Sequence, residues 1–288
     1  MKHAAGSGVG NAFTCQASVQ IELLAINLGG NPVKFLSFFV LSLSVFAFSV
    51  RAAGDDKSSA AEKGGFVTFK QADGRELRAF AVGPADAKSA VLIVHDYFGI
   101  SDGTKRFVRD LGALGYRSLA IDLYGGKSAT SHEEAVKLMQ SLDRKATDKI
   151  LQAGLDYLKQ PGRKIATIGF SMGGQESLNA NLNDPEAVDA SVMIYGSGFD
   201  KIGTKRLERL QSPVLVIAGG EDTGATQAAV NFLATMREAK RPCEIFVYPG
   251  ANHGYAQPLF NEGKNYNPEA IRITWVLVQD FLVTHLRP

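Results

Sequence analysis

The feature of this sequence that most constrains its fold is the alternation, after residue 65, of short aliphatic runs with longer amphipathic segments. Almost continuous apolar runs are typical of strands buried on both faces of a parallel sheet. Eight such strands are predicted, at Phe66–Lys70, Leu77–Val82, Ala90–His95, Arg117–Leu123, Lys164–Gly169, Ala190–Tyr195, Val214–Ala218 and Glu244–Tyr248. The first two, joined through Ala72-Asp73-Gly74, are predicted to form an antiparallel hairpin at one edge of the sheet.

The segments between these strands have the spacing of amphipathic helices. One helix is predicted to begin at Ser131, where Glu134 three residues later completes a capping-box signature. A break is expected near Asp143, and Pro161 ends the segment. The other helices are predicted at Thr104–Leu114, Glu176–Leu182, Ala225–Ala239 and Pro268–Leu286. This alternation predicts a single-domain α/β fold, with a mostly parallel central sheet, helices on both faces and no large cap domain.

The composition and charge exclude several classes of function. Residues 53–288 carry equal numbers of basic and acidic side chains and no Lys/Arg run, so we expect no nucleic-acid partner. The sequence contains no metal-ligand cluster and no cofactor fingerprint, so neither a metal nor a cofactor is expected. Cys15 and Cys243 do not form a disulfide framework. The oligomeric state does not follow from the sequence.

An apolar segment near the N-terminus predicts export. Phe35–Val50 is an uncharged run of 16 residues that follows Lys34 and precedes Arg51-Ala52. It is shorter than the roughly 20 residues that span a bilayer. A basic flank, an apolar run and a small-residue exit are typical of a secretory signal peptide, here with cleavage after Ala52. We therefore expect a periplasmic or secreted protein, with an uncleaved membrane anchor as the alternative reading.

Export implies three parts of the chain. Residues 1–52 form an upstream segment with the signal peptide, residues 53–64 a polar tether, and residues 65–288 the α/β domain. A signal normally starts close to the initiating residue, whereas 32 residues precede Val33. Translation that starts at Val33 rather than at Met1 would remove this discrepancy.

The strongest local signal is the motif Gly169-Phe170-Ser171-Met172-Gly173-Gly174. It lies between a predicted strand and a predicted helix, the context in which a strained turn exposes a nucleophilic serine above a sheet. Glycines suit the turn because the strand and helix backbones converge there. We interpret Ser171 as a nucleophile; a glycine turn required only for packing is the alternative.

A serine hydroxyl needs a base that accepts its proton. His253 is the best candidate, because it lies in the loop after the last predicted strand, at the same sheet edge as Ser171. The position of His95, at the end of a strand, suits support of the following loop. His132 and His285 are expected to be solvated.

An acidic residue must orient the imidazole and stabilise its charged form. Asp222 follows the strand Val214–Ala218 and lies between Ser171 and His253 in the chain, which is the order of nucleophile, acid and base in α/β-hydrolases. The adjacent Glu221 is a rival, although the shorter side chain of Asp222 suits the usual loop geometry better.

The oxyanion of an acyl-transfer intermediate needs backbone donors. One donor is predicted at Met172, directly after the nucleophile. The other is predicted at Tyr97, in the loop after the strand Ala90–His95.

These residues together resemble the dienelactone hydrolase family (carboxymethylenebutenolidases), which are small α/β-hydrolases without a cap. The resemblance runs from about Ala90 to the C-terminus and includes Asp96-Tyr-Phe-Gly99, Asp122-Leu-Tyr-Gly125, Gly169-Phe-Ser-Met-Gly-Gly174, Gly219-Gly-Glu-Asp222 and His253-Gly-Tyr255. The resemblance implies a substrate surface that includes four residues of these motifs and the nearby Gln257. The four motif residues are Asp96, Phe98, Tyr124 and Tyr255. The aromatic residues of the first loop have an alternative role as core residues beneath the site.

The departures from the family pattern concern the chemistry. Its best-known members have cysteine at the position of Ser171 and glutamate at that of Asp96. Two arginines that hold the substrate carboxylate in those members are also absent, since Gln257 stands near one position and Gly126-Lys127 near the other. An amide does not replace a bidentate guanidinium.

The sequence therefore predicts hydrolysis of a small ester or lactone through an acyl-serine intermediate, with activation of Ser171 by His253. The natural substrate does not follow from it. A peptidase or another acyl-transfer enzyme of the α/β-hydrolase superfamily is the second reading. A binding protein that retains the fold without catalysis is the third.

Overall fold

One eight-stranded sheet forms the centre of the computed structural model, which describes residues 64–286. The strands are β1 (Gly65–Lys70), β2 (Glu76–Val82), β3 (Ser89–Val94), β4 (Arg117–Ile121), β5 (Lys164–Phe170), β6 (Ala190–Ile194), β7 (Val214–Gly219) and β8 (Cys243–Tyr248). Each coincides with a predicted apolar run to within two residues at either end, so these predictions are confirmed.

The strand order is β1-β2-β4-β3-β5-β6-β7-β8. β1 pairs antiparallel with β2, and β2 antiparallel with β4, which confirms the predicted edge hairpin. The other six strands run parallel, with Val94 opposite Ile121 on one side and Gly169 on the other. The carboxyl ends of parallel strands share one edge of the sheet, where ligands bind in open α/β folds.

Residues 64–286 contain seven α-helices: α1 (Asp102–Ala113), α2 (His132–Gln140), α3 (Arg144–Leu158), α4 (Met172–Asn183), α5 (Thr204–Leu207), α6 (Thr223–Glu238) and α7 (Pro268–Leu286). α1 and α7 contribute their apolar residues to one core, whereas α3, α4 and α6 contribute theirs to two clusters on the opposite face. The predicted single-domain α/β fold is confirmed, and no insertion of domain size interrupts the described residues.

β3 shows why the sheet needs both helical layers. Val91 and Ile93 belong to the core beneath α1 and α7, whereas Leu92 and Val94 belong to the core beneath α3. All four side chains are fully buried. Truncation of a buried Leu such as Leu92 to Ala costs about 2–5 kcal/mol, because a cavity remains in the core.

Local signals explain most helix starts. The Ser131 hydroxyl accepts a hydrogen bond from the Glu134 N–H at the start of α2, and the Asp143 carboxylate accepts one from Ala146 at the start of α3. The predicted start and break are thus confirmed. The largest differences from the prediction are that α4 begins at Met172 instead of Glu176 and that the four-residue α5 was not expected.

The predicted signal peptide, its cleavage point and the tether up to residue 63 lie outside the described residues. Residues 64–286 belong to one compact unit. No helix within them is long and apolar enough to cross a membrane.

Candidate active site

Ser171 lies at the sharp turn between β5 and α4. Its backbone has φ 54° and ψ −120°, a region that non-glycine residues rarely occupy and that costs about 1–3 kcal/mol. The neighbouring glycines make this turn possible. A Cβ at Gly169 would collide with the Gly173 carbonyl, and a Cβ at Gly173 with the His95 carbonyl. The turn raises the Ser171 hydroxyl at the carboxyl edge of the sheet, as the sequence predicts.

A continuous hydrogen-bond path joins the three predicted catalytic side chains. The Ser171 Oγ lies 2.9 Å from His253 Nε2, and His253 Nδ1 lies 2.6 Å from Asp222 Oδ2. With the Nδ1 proton donated to the carboxylate, Nε2 is free to accept the serine proton. The structure therefore brings together side chains far apart in sequence, in the arrangement of a serine hydrolase triad.

Asp222, rather than Glu221, contacts the histidine. The second Asp222 oxygen accepts a hydrogen bond of 3.0 Å from Ala225 N–H and caps α6. Burial raises the pKa of Asp222, but hydrogen bonds from His253 and Ala225 outweigh burial, so the net pKa lies below its usual value. The Glu221 side chain is exposed to solvent.

Three residues outside the predicted motifs contact His253. The imidazole lies 5.6 Å from the Tyr195 ring and 5.3 Å from the Phe260 ring. The Asn265 side chain donates a hydrogen bond of 2.8 Å to the His253 carbonyl. Tyr195 directly follows β6 at the sheet edge that carries the site, a position that could have suggested it. Phe260 and Asn265 lie in a loop with no such signal.

The two predicted oxyanion donors are linked by Tyr124. Its hydroxyl donates a hydrogen bond of 3.2 Å to the Tyr97 carbonyl and lies 3.5 Å from the Met172 sulfur. Met172 begins α4, and the N–H groups in the first turn of a helix have no intrahelical acceptor. The Tyr124 hydroxyl thus fixes the loop that carries Tyr97 against the start of α4. Burial and the nearby Asp96 raise the pKa of Tyr124.

The Tyr97 side chain makes a contact separate from the hydrogen bond that its carbonyl accepts from Tyr124. Its hydroxyl lies 2.8 Å from His132 Nδ1 at the start of α2. Burial, with a smaller effect of Asp96, raises the pKa of Tyr97 to about 12. His132 was expected to be solvated; it is exposed, but it also ties α2 to this loop.

Asp96 and Gln257 form a buried pair. Gln257 Nε2 donates a hydrogen bond of 2.8 Å to Asp96 Oδ2, and the Phe98 N–H donates one of 2.9 Å to Oδ1. Burial raises the pKa of Asp96 more than these hydrogen bonds lower it. Both residues were assigned to the substrate surface. The structure shows that the two side chains bond to each other, join the loop after β3 to the loop after His253, and both line a cavity between α1 and α7.

Two of the assignments to the substrate surface need correction. Phe98 and Tyr255 are fully buried, and the Tyr255 hydroxyl lies 2.5 Å from Thr274 Oγ1 in the core. Their aromatic rings support the loops from below and do not face the substrate. The alternative role that the sequence left open for Phe98, as a core residue, is therefore the observed one.

His95 supports the same loops. Its Nδ1 lies 2.5 Å from the Asp96 carbonyl, and its Nε2 accepts a hydrogen bond of 3.2 Å from the Leu123 N–H. Full burial lowers its pKa despite the opposing effects of Asp96 and Asp122. A neutral imidazole with one donor and one acceptor nitrogen fits both contacts, as expected for structural support.

Comparison with known proteins identifies the family of this chain. The profile of the dienelactone hydrolase family matches residues 77–286. A protein of Saccharolobus solfataricus, provisionally named a carboxymethylenebutenolidase, is 25% identical over 255 residues, covering 74% of this chain and 96% of its own.

Two solved structures share the fold. A dienelactone hydrolase-like promiscuous phosphotriesterase from metagenomic libraries superposes with a TM-score of 0.67 at 23% identity, covering 78% of this chain and 100% of its own. A dienelactone hydrolase from Anabaena variabilis superposes with a TM-score of 0.60 at 23% identity, with the same coverage. The family match extends over most of the chain, including Ser171, Asp222 and His253. The chain therefore belongs to the dienelactone hydrolase family, a family of α/β-hydrolases, and is a hydrolase that acts on ester or lactone bonds.

Proposed function

We propose that this protein hydrolyses a small, uncharged carboxylic ester or lactone through an acyl-enzyme on Ser171. The observation that carries the proposal is the unbroken path from Ser171 Oγ through His253 to Asp222, with distances of 2.9 and 2.6 Å.

The first half-reaction forms the acyl-enzyme. His253 Nε2 accepts the serine proton while Oγ attacks the carbonyl carbon, and Asp222 stabilises the imidazolium that forms. The N–H groups of Tyr97 and Met172 are the proposed donors to the tetrahedral oxyanion. His253 then gives its proton to the leaving alkoxide as the ester bond breaks. In a lactone, this alkoxide remains attached to the acyl group.

The second half-reaction uses water. His253 accepts a proton from water as its oxygen attacks the acyl carbon, and returns that proton to Ser171 Oγ when the acyl–serine bond breaks. The products are a carboxylic acid and an alcohol, or a hydroxy acid from a lactone. The serine, histidine and aspartate return to their starting protonation states.

The preference for an uncharged substrate rests on the groups around the site. The Gln257 amide is engaged by the Asp96 carboxyl, and the Gly126 N–H donates a hydrogen bond to the Asp122 carboxylate. Lys127 is exposed to solvent. A carboxylate-bearing substrate would therefore find no cation at the positions of Gln257 and Gly126, where the best-known family members carry arginine.

A serine-reactive fluorophosphonate and a panel of matched esters test this proposal. We expect covalent labelling at Ser171, loss of labelling in Ser171→Ala, and a higher kcat/KM for neutral short-chain esters or lactones than for matched anionic ones. Ser171→Ala and His253→Ala should each lower kcat by more than about 10⁴-fold, and the double variant should be little worse, because the triad acts as a unit. Absence of labelling would favour the binding protein. A preference for anionic esters would refute the assignment of an uncharged substrate.

A further inference from the structure

A cavity of about 490 Å³ lies between α1 and α7, beside the catalytic residues. Its wall is largely aromatic, with Phe107 from α1, Trp275 from α7 and Phe170 from the end of β5. Its volume falls within the range of roughly 300–1,000 Å³ that is typical of small-molecule sites. The lining residues, all in the described part of the chain, do not include Ser171, Asp222 or His253.

The aromatic residues form a row that ends at the triad. Trp275 contacts Phe107 with ring centroids 5.4 Å apart, Phe107 contacts Phe170 at 5.0 Å, and Phe170 contacts Tyr195 at 6.0 Å. Tyr195 in turn lies against His253. The cavity and the catalytic serine are therefore neighbours, with the rings of Phe170 and Tyr195 between them.

Polar groups stand at the inner end of the cavity. Tyr195 lines it and is only 2% exposed, yet its hydroxyl makes no hydrogen bond to any residue from 64 to 286. The Asp96 carboxyl, 5% exposed, lines the same region. The Tyr195 hydroxyl oxygen is not among the fully buried atoms that lack a partner, so it is accessible to a molecule in the cavity. A ligand hydroxyl could accept a hydrogen bond from Tyr195 and share another with Asp96.

The charges at the outer rim of the cavity balance. Arg106 and Arg109 stand beside Asp102 and Asp110, and all four are exposed residues of α1. The lining therefore has no net positive charge that would attract an anion, and Asp96 at the inner end would repel one. The aromatic wall favours a flat, apolar body.

We propose that this cavity is a second binding site, separate from the catalytic serine, for a small uncharged aromatic compound that carries a hydroxyl group. The ring would pack among Phe107, Phe170 and Trp275, and the hydroxyl would hydrogen bond to Tyr195 and Asp96. This second site goes beyond the proposed ester hydrolysis, because a ligand bound in the cavity forms no bond to Ser171.

Tryptophan fluorescence reports on this cavity alone, because Trp275 is the single tryptophan of the chain. The protein is first labelled at Ser171 with fluorophosphonate, and Ser171→Ala serves if labelling fails, so a failed catalytic proposal does not obscure the result. Phenol, toluene and benzoate are then titrated. We expect a saturable change with phenol, and affinities about three- to tenfold weaker for toluene, which lacks one hydrogen bond. Benzoate should bind more weakly than phenol.

Three variants test the contacts. Tyr195→Phe should weaken phenol binding about three- to tenfold and leave toluene binding unchanged, because only the hydroxyl is lost. Ile271→Phe adds a ring on the α7 residue that lines the cavity and should abolish binding. Val276→Phe makes a matched addition on the same helix at a residue that is 52% exposed, and should leave binding unchanged.

The proposal is overturned by any of three results: no saturable response to phenol, tighter binding of benzoate than of phenol, or equal loss of phenol binding in Ile271→Phe and Val276→Phe. Binding to Ser171→Ala that disappears on labelling of the native serine would also overturn it. That result would mean that the acyl group occupies the cavity.

Discussion

Asp222 and Glu221 are adjacent carboxylates after β7, and only the first is in contact with His253. Asp222→Asn should lower kcat by roughly 10⁴-fold without loss of fold, because an amide favours the wrong imidazole tautomer and cannot stabilise its charge. Glu221→Gln, the matched change at an exposed residue, should leave kcat nearly unchanged. Steady-state kinetics on a neutral ester, with circular dichroism as a folding control, measures both. A larger loss in Glu221→Gln would reverse the assignment.

The Tyr124 hydroxyl is a positioning group for the oxyanion donors. Tyr124→Phe should lower kcat roughly 10- to 100-fold with little change in KM, because a small displacement of the Tyr97 loop matters most in the transition state. Tyr157→Phe removes a hydroxyl that accepts from Arg117, the first residue of β4 and thus at the opposite edge of the sheet. This control should keep full activity. Equal kcat values for the two variants would contradict the positioning role.

Burial of Asp96 makes stability depend on pH. Its pKa is raised in the folded protein, so the folded state binds the proton more tightly than the unfolded chain does. The free energy of unfolding should therefore fall as pH rises from about 4, the unfolded pKa of Asp, through the raised folded pKa. The Asp96→Asn side chain cannot titrate, so the Tm of this variant minus that of the native protein should increase as pH rises over this range. The lost hydrogen-bond acceptor shifts this difference by a constant amount and does not change its direction with pH.

Thermal unfolding at a series of pH values measures this difference. Tyr195 and His253 lie near Asp96. The Asp96→Asn variant and its reference protein therefore both carry Ser171→Ala, so that neither is catalytically active. A Tm difference that stays constant or shrinks with rising pH would contradict the raised pKa.

At the scale of secondary structure elements, the contact between β3 and the start of α4 requires a residue without a Cβ at position 173. Gly173→Ala should destabilise the fold by about 1–3 kcal/mol or more and lower kcat, because its Cβ would meet the Val94 and His95 carbonyls. Gly103→Ala in α1 is the matched control, since the nearest atom to its Cβ is the Ser101 Oγ at 3.6 Å. This change should be neutral or stabilise by roughly 0.5–1 kcal/mol. Denaturant unfolding distinguishes them, and equal effects would argue against the close approach.

The elements also show what a sequence can predict. The central strands were predicted because a sheet covered on both faces requires continuous apolar runs, whereas β1, which is largely exposed, was predicted from its place in the edge hairpin. The start of α4 was placed four residues late, since Gly173 and Gly174 are poor helix formers and the helix there follows from the strained turn at Ser171. α5 has only four residues, too few for a helical period.

The same limits apply to the site. Ser171, Asp222 and His253 could be predicted because each lies in the turn or loop that follows a strand at one sheet edge. The contacts of Tyr195, Phe260 and Trp275 depend on how distant loops and helices meet, which no local pattern records. Phe98 and Tyr255 were misassigned because a family motif identifies a position in the chain without stating whether the side chain faces substrate or core.

At the scale of the whole molecule, we propose that the protein is exported and that its mature form begins near Ala53. The basis is the basic, apolar and small-residue order of Lys34–Ala52. N-terminal sequencing of protein from its native host, after separation of cytoplasmic and exported fractions, should give Ala53 in the exported fraction. Recovery of an intact Met1 or Val33 terminus in the cytoplasm would refute export.

The positions of the three catalytic side chains have a consequence for how activity appears in time. Ser171 follows β5, Asp222 follows β7 and His253 follows β8. In the sheet, β6 lies between β5 and β7. The triad is therefore complete only when four parallel strands, each joined through a crossover, have paired. Such nonlocal pairing is the slow part of folding. A chain released from denaturant should regain its helices well before it turns over its first substrate molecule.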